Sequence, residues 1–223
     1  MDIDWIVAIM VFLIFVGWAF SYYITLFPES GGFLKTAADT DKEKIIGFLS
    51  TDVYSVPVKV DSGGGSNVVL TAKGVWYYGT KNSTRVLGNG VSLQCRIVGD
   101  DLYWLANLSS GWNYFRIEFS EIDSGLECDS SFSLVNVTQT VPWSLERREM
   151  ISLSRINNMT NTSYEDFRHD LDIEEDFSVS LEWEGTKEAY GKSLPVASDV
   201  HVRTHEGLMW ENSKDINVSI RVW

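Results

Sequence analysis

The sequence predicts a mainly β protein: an N-terminal transmembrane helix followed by an antiparallel β-sandwich-like ectodomain with one or two short inserted helices. Three observations carry this. The chain opens on a long apolar run, most later segments alternate apolar and polar residues with period two, and clusters of Gly, Asn and Ser punctuate them. The expected division is a membrane helix over 1–27, a stalk with a short helix over 28–50, and an extracytoplasmic β-rich domain over 51–223.

From Trp5 to Phe27 there is no charged residue. About 23 helical positions reach roughly 34 Å, against a hydrocarbon core of about 30 Å. A secretory signal peptide needs a basic lead, a shorter apolar core and a small-x-small cleavage site. Here Asp2 and Asp4 lead, and the run leaves through "SYYITLFPESGG". Trp5 at one end and Tyr22 and Tyr23 at the other stand where interfacial aromatics lie. The run reads as a retained anchor rather than a buried core helix.

Flanking charge says little about orientation, because Lys35, Lys42 and Lys44 are mixed with Glu29, Asp39, Asp41 and Glu43. Six N-x-S/T triplets, at Asn82, Asn107, Asn136, Asn158, Asn161 and Asn217, point to a glycosylated surface outside the cytoplasm. A polar β protein with Asn, Ser and Thr in its turns is the competing explanation. The two cysteines, Cys95 and Cys128, both fall in strand-like segments. A bridge between them closes a loop of about 34 residues, stabilising by about 3.5–4 kcal/mol on the chain-entropy account, and belongs to an oxidising compartment. Two isolated buried thiols is the other reading. The net charge of −13 argues against nucleic acid and against an anionic membrane surface as partners.

Pro28 and Gly31-Gly32 are expected to end the first helix. Leu34, Ala38, Asp41, Ile45 and Phe48 recur at helical spacing and predict a helix from about 36 to 49. Strands follow in "DVYSVPVKV", "NVVLTAKGVWYY", "VSLQCRIVG", "DLYWLANL" and "NYFRIEFSEI", divided by the turn chemistry of "DSGGGS", "GTKNST", "GNG" and "LSSGW". "CDSSFSLVNVTQTV" is expected to continue the sheet. "PWSLERREMISLSRI" predicts a helix from Pro142, with Leu145, Met150, Leu153 and Ile156 on roughly one face. Ser163 is placed to cap a second, "YEDFRHDLDI", with Asp166 at the capping-box distance. Three strands close the chain in "FSVSLEWEG", "SDVHVRTHEG" and "DINVSIRVW". In the last, Val218, Ile220 and Val222 alternate with Ser219 and Arg221, the pattern of a strand that ends in the core.

Catalytic chemistry finds little support. The histidines are His169, His201 and His205. "HVRTHE" lies on a predicted strand, where positions i and i+4 are about 13 Å apart and do not chelate one ion. "DSGGGSN" lacks the Lys and the following helix of a phosphate loop, and no Gly-x-Ser-x-Gly elbow occurs. Neither an enzyme nor a cofactor is expected. "DLDIEED" gathers Asp170, Asp172, Glu174, Glu175 and Asp176, hard ligands that suit calcium but without EF-hand spacing, and a solvated acidic turn outweighs it. Trp104 and Trp112, with Tyr103 and Tyr114, read as core or as a sugar-stacking platform.

The apolar N-terminal helix, polar stalk and β-rich head, with "SYEDFRHDLDIEEDFSVSLEWEG", "YGKSLP" and the closing "NVSIRVW", resemble the type IV pilin-like and archaellum-associated surface proteins of archaea. The resemblance implies partners among other pilus or surface-structure subunits, met through the N-terminal helix. It also implies that an acidic residue near the start, Asp2 or Asp4, serves assembly by neutralising a neighbour's amino group. The chain departs from the pattern in lacking a basic-Gly cleavage site before the apolar run, which favours a membrane-resident accessory over a polymerising subunit. The expected function is thus a non-catalytic, glycosylated, single-pass protein with its C-terminal domain outside the cell. A cell-surface carbohydrate-binding or adhesion sandwich is the alternative.

Overall fold

The computed structural model describes residues 3–26, 30–75, 83–122, 125–126, 128–196 and 199–223. In the first helix the side chains described are Trp5 and 9–22, and in the second those from Lys35 onward. The elements are α1 (Ile3–Leu26), α2 (Ser30–Leu49), β1 (Ser50–Lys73), β2 (Ser83–Gly88), β3 (Val91–Leu93), β4 (Cys95–Val98), β5 (Asp101–Ser120), β6 (Thr138–Thr140) and β7 (Glu146–Ile151). They continue with α3 (Leu153–Asn161), α4 (Tyr164–Asp170), β8 (Phe177–Trp183), β9 (Thr186–Gly191), β10 (His201–Leu208) and β11 (Asp215–Val222). The protein is mainly β, with antiparallel sheets and, among the described residues, four helices. Among the described residues no helix is both long and apolar enough to cross a membrane.

The first sheet is built on one long pair. β1 and β5 run antiparallel from Val53↔Ser120 to Lys73↔Asp101, with a register shift between Gly65 and Val68. Both "DSGGGS" and "LSSGW", expected as turns between separate strands, instead lie inside these continuous strands and face each other, Gly63 opposite Ser110. Gly64 (φ 93°) and Gly111 (φ 94°) take conformations closed to most L residues, and the paired strands bend there. The bend folds the sheet onto itself. One layer holds β3, β2, the second half of β5, the first half of β1 and β7; the other holds β4, the first half of β5, the second half of β1 and β6. Val58, Val86 and Ile117 from one layer meet Leu70, Leu102 and Trp104 from the other in a single core. The predicted sandwich is therefore made from one sheet creased across its two longest strands.

The second sheet, in order β10-β11-β8-β9, is covered by α2, α3 and α4. Val218, Ile220 and Val222 of β11 are fully buried, as their alternation predicts. β9, in "TKEAYG", was not expected as a strand; its edge position and mostly exposed side chains leave almost no apolar alternation to read. The stretch expected as a stalk contributes Ala38, Ile45, Ile46 and Leu49 to this core, and α2 begins at Ser30, running through Gly31-Gly32 instead of starting near Thr36.

Two further expectations fail nearby. "ERREMI" forms β7, not helix, pairing with β1 from Ser50↔Ile151 to Ser55↔Glu146. Met150 and Ile151 are adjacent and both buried, one against Val53 and Trp210, the other in the helix-covered core, so no single helical face serves them. Of "CDSSFSLVNVTQTV" only β6 forms a strand, pairing parallel with β1, while Asp129 adds a single antiparallel bridge to Arg96 of β4. The helix that follows starts late, at Leu153. Ser163 does cap α4: its hydroxyl accepts from Asp166 N at 3.2 Å and donates to the Asp166 carboxylate at 2.6 Å.

The chain leaves the helix-covered unit at Leu49 and returns at Ser152, where Ser152 N donates to Leu49 O at 3.0 Å. The creased sandwich is thus an insertion whose entry and exit strands are paired side by side. Arg85 of β2 joins the units: it binds Glu118 of β5 and reaches Glu211 O (3.2 Å) and Ser213 Oγ (2.7 Å) in the β10–β11 connection.

Candidate functional site

Alternation along the β1–β5 pair sends Val56, Val58, Val60, Phe115 and Ile117 into the sandwich core. The intervening Lys59, Tyr114 and Arg116 therefore face outward, as does Trp112 two positions further toward the crease. A third aromatic arrives from the segment between β6 and β7. Pro142 bridges to Val58, and Trp143 N donates to Pro57 O at 3.2 Å, which fixes Trp143 at the edge of β1. Trp112, Tyr114 and Trp143 are 55, 62 and 69 % exposed, unusual for rings this large. Lys59 Nζ stands 3.6 Å from the Trp112 ring centroid, 5.6 Å from that of Tyr114 and 5.7 Å from that of Trp143.

On the other side the groove is walled by the β2–β3 hairpin. Its "GNG" turn holds Asn89 and Gly90 at φ 52° and 79°, the backbone of a two-residue hairpin loop. The cavity measures about 480 Å³. Among the described residues its lining carries Lys59 and Arg116 and no Asp or Glu, although the chain as a whole has a net charge of −13. The arrangement suits binding.

The aromatic cluster read from sequence is split by the fold. Trp104 is fully buried and packs edge-on against Phe115, whereas Trp112 and Tyr114 are presented outside. Trp143 and Lys59 were missed. The sequence signal for Lys59 is its place opposite Tyr114 on a strand partner, which is invisible until register is known.

A second, smaller cavity of about 250 Å³ lies between α2 and the acidic run, lined in part by Asp41, Lys44, Asp172, Glu174 and Glu175. Asp41 is only 5 % exposed and its Oδ2 has no hydrogen-bond partner. Burial pushes its carboxyl up to about 6, against the pull of Lys44. Lys44 bonds to the Asp172 backbone carbonyl and stands 3.7 Å from its carboxylate. At the end of the run, Asp176 Oδ1 receives Lys192 Nζ (2.8 Å), Arg168 Nη1 (3.2 Å) and the Tyr164 hydroxyl (3.2 Å), and the Lys192 bond leads in holding its carboxyl below the usual range. Asp176 is thus partnered by cationic side chains, while Asp170, Asp172 and Glu174 point to solvent. Among the described residues no three His, Cys, Asp or Glu side chains gather to hold a metal ion. His201 and His205 lie on β10, and His169 on α4.

Cys95 and Cys128 form a disulfide, with Cα atoms 4.6 Å apart. Ile97 N to Cys128 O (3.1 Å) and Ser130 N to Cys95 O (2.9 Å) tie the same two segments together. Asn107, Asn136, Asn158, Asn161 and Asn217 are all exposed. Asn82 and Asp2 lie outside the described residues, and Asp4 is described only as backbone in α1.

No protein-family model matches the chain, and neither a curated protein nor a solved structure is significantly similar to it.

Proposed function

We propose that this chain is a membrane-anchored, glycosylated surface protein, pilin-like in plan, whose head lies outside the cytoplasm and binds without catalysing. The observation that carries the reading is the contrast between two successive helices. In α1 the apolar side chains from Met10 to Phe15 are all exposed, Phe12 at 64 % and Ile14 at 70 %, while α2 buries Ala38, Ile45 and Leu49 completely.

Leaving each such apolar side chain in water forgoes roughly 1.5–3 kcal/mol. A helix of 24 residues is about 36 Å long, comparable with the roughly 30 Å of bilayer hydrocarbon; its described side chains do not by themselves make up a full spanning run, and the anchor reading rests also on the uncharged stretch from Trp5 to Phe27 in the sequence. Bulky Phe, Ile and Leu side chains are comfortable against lipid. They offer little of the small-residue packing by which helices associate there, which favours an anchor over a tight helix bundle. The disulfide supports an oxidising location for the head, and the five exposed sequon asparagines support its glycosylation. An accessory role in a pilus-like surface structure follows from the same plan, with Asp2 or Asp4 serving assembly.

Alkaline carbonate extraction and protease treatment of intact cells test this together. The expected result is a chain retained in the membrane pellet whose head is removed by external protease. Release into the carbonate supernatant overturns the anchor, and cleavage only after the membrane is opened overturns the orientation.

A further inference from the structure

We infer that the groove between Trp143, Lys59, Tyr114 and Arg116 is a binding site for an acidic saccharide, a glycan bearing uronate carboxylates. The inference goes beyond the anchor reading and does not depend on it. A pyranose presents an apolar face of C–H groups and a polar rim. Rigid aromatic side chains match the first at low entropic cost, and a few placed polar groups match the second.

Both requirements are met by side chains the fold holds in place. Trp143 is tied by its own backbone bond to Pro57, so its 69 % exposure belongs to an anchored ring and not to a trailing loop. Tyr114 rises from the paired centre of the sheet, opposite Lys59. The Asn89 amide at the hairpin wall adds a donor and an acceptor. A volume of about 480 Å³ is within the range of small-molecule sites, about 300–1,000 Å³.

Charge selects among saccharides. In a protein of net charge −13, a groove lined by two cations and no carboxylate is a local reversal of sign, and it favours an anionic ligand over a neutral one. Lys59 Nζ, 5.6 Å from the Tyr114 ring centroid and 5.7 Å from that of Trp143, is positioned to meet a carboxylate on a sugar stacked on those two rings. Arg116 offers a second donor, since its ion pair with Glu118 is loose at 3.7 Å.

The test is calorimetric titration of the full chain, held in nanodiscs of zwitterionic lipid, with hexagalacturonate. A neutral galactose hexasaccharide and polyglutamate of similar charge serve as comparison ligands. Hexagalacturonate is expected to bind, to weaken with added salt, and to lose at least about tenfold in affinity in Trp143→Ala and about two- to fivefold in Lys59→Gln. Both positions are on the surface, so the thermal midpoints of these variants should stay close to that of the parent. Equal binding of the neutral hexasaccharide, unaffected by Lys59→Gln, overturns the acidic assignment. Equal binding of polyglutamate overturns the saccharide, and no binding of hexagalacturonate overturns the site. Each readout is independent of membrane orientation, so its failure is distinguishable from failure of the anchor.

Discussion

Trp104 and Phe115 stand eleven positions apart on β5, yet their ring centroids are 5.9 Å apart in an edge-on contact. On a straight strand the same positions lie about 36 Å apart. The contact measures how completely the sheet folds over, and it makes the crease at Gly64 and Gly111 the feature on which the sandwich core depends.

Gly111→Ala is therefore expected to destabilise by about 1–2 kcal/mol, because an L side chain resists a φ of 94° even where its Cβ meets nothing within 4 Å. Gly63→Ala is the control. It sits in the same crease, has open space at its Cβ and lacks a positive φ, so its effect should stay within about 0.5 kcal/mol. Equal losses for the two in denaturant unfolding would show that the crease does not rely on glycine's backbone freedom.

The junction of the two units gives a larger effect. Arg85 and Glu118 are 5 and 4 % exposed, and two guanidinium nitrogens reach Glu118 Oε2 at 2.7 and 2.9 Å, with the guanidinium 4.4 Å from the Trp210 ring centroid. Arg85→Ala leaves a buried carboxylate with the looser partner Arg116 at 3.7 Å and is expected to cost about 3–4 kcal/mol. The double variant Arg85→Met with Glu118→Leu should recover most of that loss. Arg147→Ala, which breaks the exposed pair with Asp52, should cost under about 1 kcal/mol. Chemical unfolding of the variants decides, and a double variant no more stable than Arg85→Ala would contradict the account.

These relationships mark the limit of what the sequence discloses. Local chemistry was legible: the turn at "GNG", the Ser163 cap and the alternation of β11 all follow from neighbours in sequence, whereas β2 (Ser83–Gly88), the other arm of that turn, was not expected as a strand, and the pairing of two cysteines 33 positions apart was one of two open readings that the fold decides. Glycine-rich stretches were misread because "DSGGGS" carries the same residues whether it reverses the chain or bends a strand, and only pairing with "LSSGW" distinguishes the two. Likewise β7 has helical spacing in its apolar residues, and pairing with β1 overrides it. The groove was half visible. Trp112 and Tyr114 were singled out, but their separation from Trp104 comes from the crease, and Trp143 reaches the site from a distant segment.

The Cys95–Cys128 bridge pins β4 to the segment after β5, and the 33-residue separation sets its effect on the unfolded chain. Replacing both cysteines by alanine is expected to lower stability by about 3–4 kcal/mol. Cysteine-free protein should unfold at correspondingly lower denaturant. A loss below about 1 kcal/mol would mean that Ile97, Ser130 and the surrounding backbone bonds hold these segments without it.

Asp41 supplies a pH dependence whose sign is fixed by its burial. Its carboxyl titrates at about 6 in the folded chain, against about 3.9 when unfolded. Between those values the folded state binds more protons than the unfolded one, so this residue's contribution to stability falls as pH rises from about 4 to 6 and stays low above that. Lys44 and Arg168 oppose the shift and Glu174 and Glu175 reinforce it. Asp176 has the opposite sign: its depressed carboxyl stabilises above the unfolded value and loses that effect only as pH falls below about 4. The two windows therefore do not overlap. Asp41→Asn is expected to stabilise the protein at pH 7 by about 1–3 kcal/mol, with little change at pH 4. Unfolding measured across that range in both proteins checks it, and a difference that stays constant with pH would show that Asp41 does not titrate in this window.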